Sequence, residues 1–272
     1  MIDANTQQQL RSLYNPDGSE LRTMQLGLLE ILVEFDRICR KHNITYWLDS
    51  GTLIGAARHG GFIPWDDDMD VCILKKDRRR LKKAMEAEVS EPFAYTDANV
   101  TMHHARRWAR LESNRITIER TVAMPGTESG TQTRRENIWL DVFFEINGTP
   151  SISRTINRFF GPCFRRRYKL IQDGWLRHAV GTVFYPFAIF SVWMATLYGK
   201  LFHSKTLIHD FGTGFHSQRN LDDIFPIGHI QFEGHDFYAP GRYQDYLKRI
   251  YGSWWQLPDK IESHNITGMT VN

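Results

Sequence analysis

Four carboxylates occupy five positions in Asp66-Asp67-Asp68-Met69-Asp70, and the apolar run Val71-Cys72-Ile73-Leu74 follows with no spacer. Like charges at this spacing repel and raise one another's pKa unless a cation neutralises them. A chain with this stretch either leaves the run to solvent or gathers it around something positive. If the backbone is extended at the end of the run, Asp68 and Asp70 point to one face at the mouth of a strand. That pair suits a divalent cation with hard oxygen ligands, magnesium first and manganese as the alternative. A third acid, Asp141, stands alone inside Ile138-Trp139-Leu140-Asp141-Val142-Phe143-Phe144. Burying it unpaired is costly, and either a shared metal or an arginine partner removes the cost. Asp66, Asp68 and Asp70 also fall at positions one, three and five of a calcium loop. Val71 and Asp77, however, replace the glycine and glutamate that such a loop needs.

The pattern around the acids alternates helices and strands. Ser19 caps a helix from Glu20 or Leu21 to about Lys41-His42-Asn43, and Ile44 to Leu48 reads as a strand. Gly51-Thr52 opens a short helix over Leu53 to Arg58, which Gly60-Gly61 breaks. Backbone amides at that turn and the Thr52 hydroxyl can cradle a phosphate. Val71 to Leu74 is a second strand, followed by a basic helix from about Asp77 to Glu88. Strands are expected between His104 and Ile118 and over Ile138 to Phe144, with a mobile loop from Pro125 to Arg135 between them. Beyond Pro150 come basic, aromatic helices to about Lys205. A β segment over His229 to Ala239 and a helix over Tyr243 to Tyr251 close the chain.

Composition narrows the partners. A net charge of +3 over 272 residues gives no reason to expect nucleic acid. Cys39, Cys72 and Cys163 form no spaced pair, and Met1 to Asn5 lacks the regions of a secretory signal, so a reducing, cytoplasmic setting is expected. The sequons at Asn43, Asn99, Asn147 and Asn265 are then chance. Ala179 to Gly199 is uncharged for 21 residues, flanked by Arg165 to Arg167, Lys169 and Arg177 before and Lys200 and Lys205 after. It reads as a buried helix, as peripheral contact with the inner face of a membrane, or as a span.

The stretch from Leu48 to Asp70, Leu-Asp-Ser-Gly-Thr-Leu-Ile-Gly-Ala-Ala-Arg-His-Gly-Gly-Phe-Ile-Pro-Trp-Asp-Asp-Asp-Met-Asp, closely resembles the signature of the LicD family. That family includes bacterial phosphocholine transferases and is related to fukutin and fukutin-related protein. Further matches are Phe232-Glu233-Gly234, Pro240 and Tyr251-Gly252, so the resemblance reaches from about residue 20 to 260. It departs at Asp141-Val142-Phe143-Phe144-Glu145, where the family more often has Asp-Ile-Phe-Pro.

The resemblance implies an α/β (α+β) fold: a nucleotidyltransferase-like mixed sheet with flanking helices and a basic aromatic helical extension. Residues 1–150 form the catalytic core, and 151–272 are the extension and a C-terminal segment completing the same domain. It implies metal-dependent transfer of a phospho-alcohol such as phosphocholine from a CDP-linked donor to a hydroxyl of a glycan or glycolipid, releasing CMP. Asp68, Asp70 and Asp141 are then the catalytic and metal-binding acids, and Asp70 or Asp141 takes the acceptor's proton. Gly51, Thr52, Arg58, Arg110 and Trp65 are expected to bind substrate. For the two arginines a structural ion pair is an equal alternative, and Trp65, Trp108 or Trp139 could face a choline head group. His59, His103 and His104 lack zinc-site spacing. Nucleotidyl transfer to a small acceptor, and a non-catalytic glycan- or lipid-binding protein, are the competing readings.

Overall fold

In the computed structural model, residues 2–97, 108–123, 131–166, 175–202, 205–210, 217–258, 260–261 and 266–272 are described. His103, His104, Asn99, Asn265, Arg167, Lys169 and the 125–130 part of the expected loop lie outside them.

Helices α1 (Ala4–Tyr14) and α2 (Glu20–Lys41) come first. The Ser19 hydroxyl accepts the Arg22 N–H and so caps α2, while Arg40 and Lys41 sit at its negative end. Leu28, Leu32, Phe35 and Cys39 recur at helical spacing and give α2 a buried face that packs into the core beside the sheet. Strand β1 (Tyr46–Leu48) leads into α3 (Ser50–His59), where Gly60 takes the left-handed conformation (φ 71°) that ends a helix. After the acidic run come β2 (Asp70–Leu74), a 3-10 turn (Lys75–Asp77) and α4 (Arg78–Glu88), then β3 (Phe93–Thr96), β4 (Ala109–Ala123) and β5 (Thr131–Asn147). Helices α5 (Pro150–Arg166) and α6 (Trp175–Leu201) follow, then β6 (Thr206–His209), β7 (Arg219–Asn220) and α7 (Leu221–Ile224). A hairpin of β8 (Gly228–Phe232) and β9 (His235–Ala239), helix α8 (Tyr243–Tyr251) and β10 (Ile266–Val271) complete the chain.

Among the described residues the main sheet has eight strands on the path β1-β2-β5-β4-β10, with β3 on β4 and β6, β7 beyond β5. Only the β2–β5 pair is parallel, so the sheet is mixed and helices flank it, as a nucleotidyltransferase-like α+β fold requires. The parallel register sets Asp70 beside Asp141. Phe144, at the point of departure from the family's proline, pairs with Ile73 in that ladder. Proline there would remove a ladder donor, whereas phenylalanine lets β5 run on to bind β6.

Two expectations are corrected. Residues 131–135 are strand rather than loop, paired across to Glu119–Ala123. Their cross-strand hydrogen bonds outweigh a polar composition that reads as a turn. The uncharged segment is not a fully buried helix: Ala188, Val192, Ala195 and Gly199 are covered, and most of its other described side chains are exposed. No helix among the described residues is long and apolar enough to cross a membrane.

Candidate active site

The acidic run is folded by partners on three other elements. Gln25, fully buried on α2, donates to the carbonyls of Ile63 (3.3 Å) and Asp66 (2.9 Å), and its own carbonyl accepts from Asn15 (2.7 Å). Arg120 on β4 donates to Asp67 (3.0 Å), which is buried. Thr52 Oγ1 accepts the Asp70 N–H (2.9 Å), so the hydroxyl expected at a phosphate also ties α3 to the acid strand. Gly51 stands close to a carboxylate of the acidic run. A Cβ there would stand 2.6 Å from Asp66 Oδ2, so the carboxylate lies over the first turn of α3.

The carboxylates converge, though not as a simple trio. Among the described residues, oxygens of Asp66, Asp67 and Asp68 lie within 4.8 Å of one another, a grouping able to hold a metal ion. Asp70 and Asp141 are neighbours across the parallel strands. Burial raises the Asp70 pKa well above the carboxylate range, and Asp68, Asp141, Asp49 and Asp66 push it further. Burial likewise raises Asp66, helped by Asp68 and Asp67. Crowded carboxylates with hard oxygen donors, two of them raised in pKa by burial and by their neighbours, are the donor set that a magnesium or manganese ion fits.

Asp141 is the best satisfied of the acids. Its Oδ1 accepts from Trp108 Nε1 and Arg110 Nε, both at 2.7 Å, and its Oδ2 from Trp139 Nε1 at 3.1 Å. Burial still raises its pKa, with Arg110 the chief opposing influence. The arginine partner anticipated for Asp141 is thus Arg110, which also lies over the Trp139 ring at 3.9 Å. Both side chains line a cavity of about 660 Å³ with Thr96, Glu112, Arg134 and Asn137. The cavity wall is polar, with three arginines and two glutamates, and reaches Asp141 through Arg110.

The other expected substrate residues are occupied differently. The buried Arg58 guanidinium donates to the carbonyls of Trp254 (3.0 Å) and Gln256 (2.6 Å), and so clamps the segment after α8. Trp65 packs edge-on to Tyr14 and His59. His59 donates from Nδ1 to Gln7 (2.6 Å) and accepts Arg58 Nε–H at Nε2 (2.9 Å). Burial, then the Arg58 charge, lowers its pKa from 6.5 to about 3. Folded His59 stays neutral while the unfolded chain protonates below 6.5, so its contribution to stability is lost as pH falls from 6.5 towards 3. The unfolding free energy of the wild type should decline in that window by up to about 1.4 kcal/mol per pH unit more than that of His59→Asn. Parallel slopes in chemical denaturation would contradict it.

Beneath the acids lies a buried network that sequence reasoning missed. Asp49, at the end of β1, accepts from Arg219 Nη2 and the Tyr246 hydroxyl, both at 2.6 Å. Glu145 on β5 meets His209 Nδ1 (2.5 Å) and Arg219 Nε (3.7 Å). Cys72 lies 3.2 Å from Asp49 Oδ2 and 3.6 Å from Glu145 Oε1. Burial works to raise the pKa values of both acids, but Arg219 and then His209 bring them below the carboxylate range. A visible hint was Glu145, which shares a strand face with Asp141 inside an apolar run.

A mixed sheet with paired acids on its parallel strands and a glycine-opened helix at their mouth is the architecture of a nucleotidyltransferase-like α+β fold. Residues 43–149 match the family described as LicD/FKTN/FKRP, nucleotidyltransferase domain. It is 27% identical over 259 residues to the lipopolysaccharide cholinephosphotransferase LicD of Haemophilus influenzae, covering 88% of this chain and 92% of that protein. A 34-residue segment is 56% identical to the ribitol 5-phosphate transferase FKRP of Homo sapiens, 12% of this chain and 7% of that one. An uncharacterised Rickettsia prowazekii protein is 42% identical over 60 residues, 22% of this chain and 23% of its own length.

Proposed function

We propose that this protein transfers a phospho-alcohol, phosphocholine or a close analogue, from a CDP-linked donor to a hydroxyl of a glycan or glycolipid, releasing CMP. The observation that carries this reading is the register that sets Asp70 beside Asp141, next to the Asp66–Asp68 carboxylates. The names of the relatives support it, since two of them transfer a phospho-alcohol, cholinephosphate in one and ribitol 5-phosphate in the other. Asp68, Asp70 and Asp141 would hold magnesium or manganese, which when bound neutralises a diphosphate and the charge developing on the leaving phosphate.

The chain's own groups do the positioning. Arg110 is fixed by Asp141 and Trp139 and borders the polar cavity, where its guanidinium fork suits a diphosphate. Asp141 already accepts three hydrogen bonds, which weakens it as a base. Asp70, its neighbour in the parallel register, is the acceptor we assign for the proton of the attacking hydroxyl. The acceptor in this reading is a cell-surface glycan precursor met at the cytoplasmic face of a membrane.

A donor panel tests the proposal: CDP-choline, CDP-ethanolamine, CDP-glycerol and CDP-ribitol, each with magnesium and glycan acceptors. CMP release with one donor is the expected result. Pyrophosphate release from a nucleoside triphosphate, with no CMP from any CDP donor, would instead establish nucleotidyl transfer.

A further inference from the structure

Helix α6 is apolar on nearly every side, yet the protein covers few of its described side chains. Ala188, Val192, Ala195 and Gly199 recur every three or four residues and form a buried stripe about 60° wide at 100° per residue. Three of these join Ile146, Ile156 and Ile208 in a small core between α5, α6 and the sheet. Everything large points elsewhere. Of the eighteen exposed large hydrophobic side chains among the described residues, ten lie between 183 and 202, including Phe184, Phe187, Phe190, Trp193 and Phe202. Soluble surfaces do not concentrate aromatics in this way without a partner.

The charge around the helix says what the partner is. Residues 150–202 contain eight lysines and arginines and one acid, Asp173, a net of +7 against +3 for the whole chain; the remainder therefore carries −4. Arg154 and Arg158 are exposed on α5, which packs against α6. Lys200, exposed at the end of α6, lines a cavity of about 450 Å³ together with Lys76, so the basic rim continues onto the catalytic core. A broad apolar face with aromatic residues and a cationic rim has the chemistry of an interfacial helix on anionic headgroups.

We infer that the α5–α6 hairpin is a monotopic membrane anchor, seating the exposed aromatics of α6 among the acyl chains of an anionic leaflet while its basic residues meet the phosphates. This anchor is independent of the transfer reaction, so a failed vesicle experiment would leave the acidic site untouched.

Co-sedimentation of the full chain with vesicles tests it, comparing phosphatidylcholine alone with phosphatidylcholine containing phosphatidylglycerol. Partitioning should be at least about tenfold stronger on the anionic vesicles, and about tenfold weaker for the variant Phe187→Ser/Phe190→Ser/Trp193→Ser. A second readout does not depend on that variant folding. Brominated acyl chains should quench the fluorescence of the wild type more than that of Trp193→Phe. Binding to neither vesicle, equal binding to both, or self-association in sedimentation equilibrium without vesicle binding would overturn the proposal.

Discussion

Asp70→Asn is expected to lower turnover on the order of 10³-fold while leaving the melting temperature unchanged or raised. The loss follows from removing a charged ligand and proton acceptor at the reacting phosphate, where electrostatic stabilisation is the largest catalytic influence. The stability gain follows from the same geometry. Asp70 lies where Asp68, Asp141, Asp49 and Asp66 all repel its charge, and the Thr52 hydroxyl holds only its backbone N–H, which asparagine keeps. Neutralising it relieves the fold of a strain maintained for function. Steady-state kinetics and a thermal melt of one preparation check both halves. A variant that loses turnover and stability together would make Asp70 structural.

Arg219→Met should do the opposite, with stability as the main casualty. Arg219 is 2% exposed, and both Asp49 and Glu145 are held ionised largely by its charge. Removing one member of a buried charge network leaves the others uncompensated and costs about 3–5 kcal/mol. For a chain of this size that is a fall of roughly 6–20 °C in melting temperature. The triple variant Arg219→Met/Asp49→Asn/Glu145→Gln should recover part of the loss, because it removes the charges along with their partner. A single-variant loss below about 1 kcal/mol would show that the network carries little stability.

How much of this was legible in the sequence depends on how far apart the interacting residues lie. Asp68, Asp70 and the Gly51-Thr52 turn were readable because the loop, helix and strand that hold them are contiguous and their spacing is local. Asp141 was readable as an anomaly, one acid in an apolar strand, and its arginine partner could be anticipated in kind. The Asp49–Arg219–Glu145–His209–Tyr246 network was not readable, since its members come from five separate segments and no periodicity links them. Gln25 was hidden for the same reason, being with Arg22 one of two polar residues buried on an otherwise apolar helix face. Arg58 shows the converse limit. Its position beside the motif suggested a ligand contact, while its partners, the carbonyls of Trp254 and Gln256, lie almost two hundred residues away. The composition of Ala179 to Gly199 identified an apolar helix. Which of its faces the protein covers depended on Ile146, Ile156 and Ile208.

The central claim is that the acids at the β2–β5 junction are one divalent-cation site. Manganese binding followed by electron paramagnetic resonance measures this directly, using the metal alone with the wild type, Asp68→Ala and Asp141→Asn. The account predicts saturable binding to the wild type, weakened by about tenfold or more in each variant. Identical isotherms for all three proteins would contradict it.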